Sequence, residues 1–272
     1  MKKIFFYLTI VIVLLVAISG KGICQSQMTM TTAPKTQEVK ILLSGSGRAN
    51  IDWGDGSIDK IANINSFPEA SHSEYSHNYS DTFSHIIILT GTNIRGIICD
   101  ENHLTSLNIS KYKPLRVLVC CNNNLKELDI SKNTKLMSLS CGGNHSTELN
   151  ISKNTKLTSL ECSRNNLMYL DVSENLKLKY LECNNNQLTH LDLFLQVELY
   201  GLRCAYNNFS EIVLNEIFSS LNDRKVEYSK KESRSRRCNI KTGKFIYIEG
   251  NPGVQSCDRS IAEKKEWRFI TW

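Results

Sequence analysis

From Leu115 to Leu125 the chain reads Leu-Arg-Val-Leu-Val-Cys-Cys-Asn-Asn-Asn-Leu, and the skeleton Leu115, Leu118, Cys120, Asn123, Leu125 returns every 21 residues. It reappears as Leu136, Leu139, Cys141, Asn144, as Leu157, Leu160, Cys162, Asn165, Leu167, and as Leu178, Leu181, Cys183, Asn186, Leu188. Leu199, Leu202, Cys204, Asn207 and Phe209 continue it, and a step backwards lands on Ile94, Ile97, Cys99, Asn102 and Leu104 without a gap. Six uninterrupted copies therefore fill residues 94–219. A fixed period of this length marks a solenoid, in which each unit buries its apolar edge only by stacking on its neighbours.

The second half of each copy is regular too, with Leu107/Ile109, Leu128/Ile130, Leu149/Ile151, Leu170/Val172, Leu191/Leu193 and Ile212/Leu214 as expected inward pairs. Each copy thus brings two short extended segments with alternating apolar residues, and no helical period fits between them. Each inward side chain contributes about 1.5–3 kcal/mol when fully buried. At about 4.8 Å per stacked strand, six coils make a ladder on the order of 29 Å long. The Asn that ends each Leu-x-Cys strand has a task of its own: its amide satisfies backbone groups that the inward turn would otherwise bury unpaired.

These residues resemble the leucine-rich-repeat superfamily in its 21-residue bacterial form, with L-x-x-L-x-C-x-x-N-x-L followed by an L-D-V-S-x-N half. The resemblance covers residues 94–219 and implies a mainly β, right-handed solenoid of parallel strands. Ser146 departs from the expected Leu, Gln196 from the expected Asn, and Phe194-Leu195 replace a Ser-containing turn.

Six of the ten cysteines, Cys99, Cys120, Cys141, Cys162, Cys183 and Cys204, share one repeat position and so form a column. A straight column cannot converge four thiolates on one metal ion, and strands in register hold neighbouring Cβ atoms too far apart for unstrained disulfides. The column is expected to be reduced thiols acting as small buried hydrophobes. Cys121 points the other way. Cys238 and Cys257 lie outside the column and bracket a compact segment, and in an exported protein they are expected to form a disulfide.

After the repeats, Arg224 to Lys244 concentrate nine Lys and Arg against Glu227 and Glu232, a solvated basic loop whose few aromatic residues lend no support to nucleic-acid binding. Ile246, Ile248 and Asn251 repeat the Leu, Cys and Asn offsets, so Phe245 to Glu249 is expected to add one more strand. Asn251-Pro252-Gly253 then turns, and Asp258 to Trp267 reads as a short amphipathic capping helix. This stretch resembles the closing unit of the same bacterial repeat proteins, with Glu266 where they often carry Gly.

Before the repeats, Val39 to Ser44, Ala49 to Trp53 and Ser84 to Thr90 read as strands. Ile51-Asp52-Trp53-Gly54-Asp55-Gly56 together with Tyr75-Ser76-His77-Asn78-Tyr79 resemble the W-G-D-G and H-x-Y signatures of a PKD-like β-sandwich, which implies a small β module over 38–93 that doubles as the N-terminal cap. Asp52, Asp55 and Asp59 lack the full calcium-loop spacing, and His72, His77 and His85 have no metal-ligand spacing. Residues 25–37 are expected to be a linker.

The chain begins with Lys2-Lys3 and an apolar stretch from Ile4 to Ser19, the layout of an export signal, and shorter than the roughly 20 apolar residues of a spanning helix. Cleavage is expected after Cys24, with Ser19 as the other site. Ile23 stands where a lipid-acceptor signal needs a small residue. Removing 1–24 takes Lys2, Lys3 and Lys21 and no acid, lowering the net charge from +6 to +3.

Function follows from shape. A stack of parallel strands presents a rigid face whose outward positions vary freely, and this one places Glu161, Arg164, Tyr180, Glu182, Arg203 and Tyr206 together. That mixture fits a protein partner, with a glycan as the alternative. No nucleophile, base and orienting group stand in a recognisable arrangement, so the chain is expected to be a monomeric binding protein without cofactor, exported to the cell surface, the exterior or the periplasm, rather than a hydrolase.

Overall fold

The computed structural model describes residues 27–64, 73–224 and 243–271. The expected export signal, most of the basic loop and Cys238 lie outside those residues. The solenoid begins where β7 (Ile94–Ile98) pairs in parallel with β9 (Val117–Val119), and β10 (Ser138–Ser140), β11 (Ser159–Glu161), β12 (Tyr180–Glu182) and β13 (Gly201–Arg203) follow in strict register. Each strand is three residues long after the first because alternation leaves only its central leucine facing the core, as with Leu118, Leu139, Leu160, Leu181 and Leu202, all fully buried. The fold is a mainly β leucine-rich-repeat solenoid of parallel strands.

Two asparagine ladders hold the turns. Asn123 Oδ1 accepts from Leu104 N at 2.9 Å while its Nδ2 donates to Cys99 O at 3.0 Å and Cys120 O at 3.1 Å. Asn144, Asn165, Asn186 and Asn207 repeat the arrangement one coil further along each time. A second ladder runs behind it, where Asn154 Nδ2 donates to Asn133 O at 3.0 Å and Asn175 Nδ2 to Asn154 O at 3.1 Å. Gln196 still reaches Val172 O at 2.7 Å, so its departure from Asn leaves the coil intact. The second halves of the coils follow these ladders as irregular extended chain rather than as paired strands, apart from β8 (Leu104–Asn108) in the first coil and a helix in the sixth.

The N-terminal part contributes β1 (Gln27–Thr32), β2 (Glu38–Gly45), β3 (Ala49–Asp52), β4 (Ile58–Ile61), β5 (Ser73–Asn78) and β6 (Ile86–Gly91). They form two layers. One is a five-stranded antiparallel sheet in the order β4-β3-β6-β1-β8, and the other extends the ladder, with β2 antiparallel to β7 and β5 antiparallel to β2. The expected linker is corrected here: Gln27–Thr32 is a central strand between β6 and β8, and its alternate residues Met28, Met30 and Thr32 are fully buried. The first coil is shared, since β7 and β8 each pair with a strand from outside the repeats, so one hydrophobic core runs through the chain.

Two further corrections concern the C-terminal end. Ile212 and Leu214 are not an inward pair, because Glu211–Ser220 is helix α1; Leu214 is buried and Ile212 is 71% exposed. Ser210 caps the helix by accepting from Val213 N at 3.3 Å, and Leu214, Ile217, Phe218 and Leu221 recur at helical spacing with no Ser-x-Asn turn to interrupt them. Lys265 Nζ then donates to the carbonyls of Ser219 at 2.6 Å and Leu221 at 2.8 Å, satisfying the open end of the helix. The strand expected at Phe245 is present as β14 (Lys244–Tyr247), parallel to β13. The capping helix α2, however, spans only Ser260–Glu263, and Trp267–Phe269 forms β15, a last parallel strand on β14. Glu266 turns between them with φ of 64°, a conformation that a glycine adopts without strain.

Candidate functional site

Side chains on the outer face of the ladder stand in two columns set by the register. One column runs Val117, Ser138, Ser159, Tyr180, Gly201, Phe245, and the other Val119, Ser140, Glu161, Glu182, Arg203, Tyr247. The first three coils are small or apolar there. From β11 onward the face becomes aromatic and charged.

The structure brings Tyr180, Glu182, Arg203 and Tyr206 together. Tyr180 hydroxyl donates to the Glu182 carboxylate two residues along the same strand, and Asn184 Nδ2 donates to the other oxygen of Glu182 at 3.4 Å. Gly201 has no side chain, so the rings of Tyr180 and Phe245 close over it with centroids 6.0 Å apart; a Cβ there would stand 2.6 Å from Phe245 Cζ. The Arg203 guanidinium lies 5.8 Å from the Phe245 ring centroid and the residue is only 4% exposed, so it is a packed member of the cluster rather than the free outward arginine that alternation suggests. Its charge also faces Tyr247, whose hydroxyl is nonetheless pushed up to about 12, first by burial and then by its hydrogen bond with Tyr206.

Arg164 and Tyr206 belong to a third column. Each coil turns after its Leu-x-Cys strand through one residue with positive φ: Asn122 (53°), Gly143 (66°), Arg164 (53°), Tyr206 (53°) and Gly250 (71°) among them. This bend throws Arg164 and Tyr206 outward along the rim. Tyr206 lies over Gly250, 51% exposed, with its ring 6.4 Å from that of Tyr247. Arg164 is exposed too, on the rim beside β11.

Glu161 behaves differently from its expected place on the open face. Its carboxylate folds along the ladder, accepting from Ser163 N at 3.2 Å and Gly142 N at 3.3 Å, and lies 3.2 Å from Cys121 Sγ. Burial holds its pKa above the ordinary carboxylate value, with Glu182 adding repulsion. The neighbouring Cys121 thiol is pushed well above its usual value by the same burial and by Glu161. All six cysteines of the column are buried and raised by burial, which leaves them as thiols in the core.

Phe245 and Tyr247 occupy the outward register positions of β14 but are buried there, as packing beneath Tyr180 and Tyr206 rather than as exposed face, and sequence reasoning missed them in that part. Their signal was available, because the offsets that assign Ile246 and Ile248 to the core assign their neighbours to the outside. In the N-terminal part, Trp53 stacks on His77 at 5.1 Å, His77 Nε2 lies 2.7 Å from Asp55, and Tyr79 hydroxyl donates to Trp53 O at 2.7 Å. Asp55 also accepts from the Ser57 hydroxyl at 2.6 Å, which pulls its pKa far down. These groups tie the Gly54-Asp55-Gly56 turn to β5. Among the described residues, no three His, Cys, Asp or Glu side chains group as metal ligands, and no helix is long and apolar enough to cross a membrane.

Fold and face together define a repeat solenoid of parallel strands with a cysteine column inside and Tyr180, Glu182 and Tyr206 on its outer face. Among solved structures, the chain is similar to the functional domain of InlJ from Listeria monocytogenes, which includes a cysteine ladder, at 29% identity over 64% of this chain and 38% of that one, with a TM-score of 0.46. It is similar to the internalin InlF of Listeria monocytogenes at 23% identity, over 44% of this chain and 37% of that one, with a TM-score of 0.38. The chain therefore spans under two-fifths of either protein. No protein-family model and no curated protein matches it.

Proposed function

We propose that the chain is a non-catalytic, exported binding module that presents the C-terminal half of its ladder face to a protein partner, in the manner of an adhesin. The observation that carries this is that the part-exposed Tyr180 and Glu182 and the exposed Tyr206 are held on adjacent strands and their rim by packing on the buried Arg203, Phe245 and Tyr247. Tyr and Arg supply large contact areas at low entropic cost and dominate binding energy when their geometry is held in advance. Here hydrogen bonds and ring packing hold it. Disulfide formation between Cys238 and Cys257, cleavage after Cys24 and the PKD-like assignment of 38–93 belong to the same proposal; Cys257 is half-buried against the core.

The test is adhesion of beads coated with the mature protein to cells or extracted surface proteins. Tyr180→Ala combined with Tyr206→Ala is expected to abolish retention, whereas Ser138→Ala on the N-terminal half of the face leaves it unchanged. Equal retention of the folded double variant rejects this surface, and retention lost on deglycosylating the target shifts the partner to a glycan.

A further inference from the structure

The back of the solenoid changes character toward its C-terminal end. Residues 21 apart are neighbours there, because the asparagine ladder and Gln196 tie each turn to the one before. One column runs Ser131, Ser152, Ser173, Phe194, and the next Lys132, Lys153, Glu174, Leu195. Beside them run Thr134, Thr155, Leu176, Val197 and Lys135, Lys156, Lys177, Glu198. Positions that are hydroxylic and basic in the early coils are thus apolar and acidic in the late ones.

None of the apolar replacements is buried. Phe194 and Ile212 are 72% and 71% exposed, and Leu176, Leu195 and Val197 are exposed beside them. A groove of about 660 Å³ separates the coil turn from α1, with Asp192 and Phe194 on one side and Ile212, Asn215 and Glu216 on the other. Contiguous exposed apolar surface of this kind, in a scaffold whose other coils show that polar residues fit the same positions, marks a contact site. Its carboxylates choose the occupant. Asp192 and Glu216, the charged side chains that line it, repel anionic lipid and nucleic acid and attract Lys and Arg.

We propose that this back groove docks a basic amphipathic protein segment, with apolar side chains seated on Phe194, Leu195 and Ile212 and cationic ones paired with Asp192 and Glu216. It is a second surface, distinct from the ladder face and independent of its function.

A labelled Leu/Lys amphipathic peptide serves as the probe, measured by fluorescence anisotropy against the mature protein. It is expected to bind, to weaken as NaCl is raised, and to lose roughly tenfold in affinity with Phe194→Ser/Leu195→Lys. That double variant restores residue types the earlier coils carry in the same columns, and an unchanged thermal transition certifies its fold. Tyr180→Ala/Glu182→Gln on the opposite face should leave the peptide affinity unchanged. Equal binding by the groove variant, stronger binding of a Leu/Glu peptide, binding to phosphatidylglycerol vesicles, or self-association that the groove variant abolishes would each overturn the proposal.

Discussion

The Glu161 carboxylate meets the Cys121 thiol at 3.2 Å across an intervening coil, because Gly142 between them has no side chain. A Cβ at Gly142 would stand in contact with the Glu161 carboxylate and 2.8 Å from Ser163 O. The φ of Gly142 is not in the left-handed region, so Gly142→Ala meets no dihedral strain and acts through its contacts with Glu161 and the Ser163 carbonyl. The substitution is expected to displace Glu161 and expose Cys121, raising its alkylation rate by iodoacetamide roughly tenfold. An unchanged rate would show that the glycine is incidental.

Glu161 also predicts a pH dependence. Its folded pKa is raised above the ordinary value, first by burial, so the folded state holds its proton more tightly than the unfolded chain. The resulting stabilisation is complete in acid below the unfolded value of about 4.5 and is lost as pH rises through the folded value. Glu161→Gln carries no such charge. Its melting temperature relative to the parent should therefore climb between pH 4 and pH 7, and a constant difference across that range contradicts the assignment.

Asn165 accepts from Ser146 N at 3.1 Å and donates to Cys141 O at 3.1 Å and Cys162 O at 3.2 Å, all buried. Asn165→Ala strands these backbone groups and should cost about 1–3 kcal/mol for each that finds no water. The adjacent Asn166 is exposed, and Asn166→Ala should stay within about 0.5 kcal/mol. Urea unfolding of the two variants separates them, and equal midpoints would remove the ladder from the account of stability.

Met30 lies fully buried in the strand between β6 and β8. Met30→Ala is expected to cost about 2–5 kcal/mol, as for a core methionine, against a few tenths for a residue in a solvated linker. Thermal unfolding monitored by circular dichroism decides it.

The stretch Gln27-Met-Thr-Met-Thr-Thr32 alternates apolar and polar as a half-buried strand does, so its role was legible, but a single six-residue alternation carries no partner with it. Its place between β6 and β8 depends on pairing Thr29 with both Ile88 and Asn108, contacts that no period announces. β15 is similar: Trp267 to Phe269 continues an amphipathic pattern on paper, and becomes a strand because β14 leaves an open edge that it completes. On the face, the repeat set the register of Tyr180, Glu182, Arg203 and Tyr206, but Arg203 packed inward under Phe245, Arg164 stayed apart on the rim, and Glu161 turned aside to a gap left by Gly142.

The sequence alone determined the solenoid, its register and the core residues of the first five coils, because each coil stacks on the one before and a side chain's position follows from its place in the 21-residue period. Tertiary structure alone decided how long outward side chains cross coils, which non-repeating strands close the two ends, and where apolar turns face a helix to form a groove. Those outcomes rest on contacts between segments that share no period, and their energies are settled only when both partners are in place.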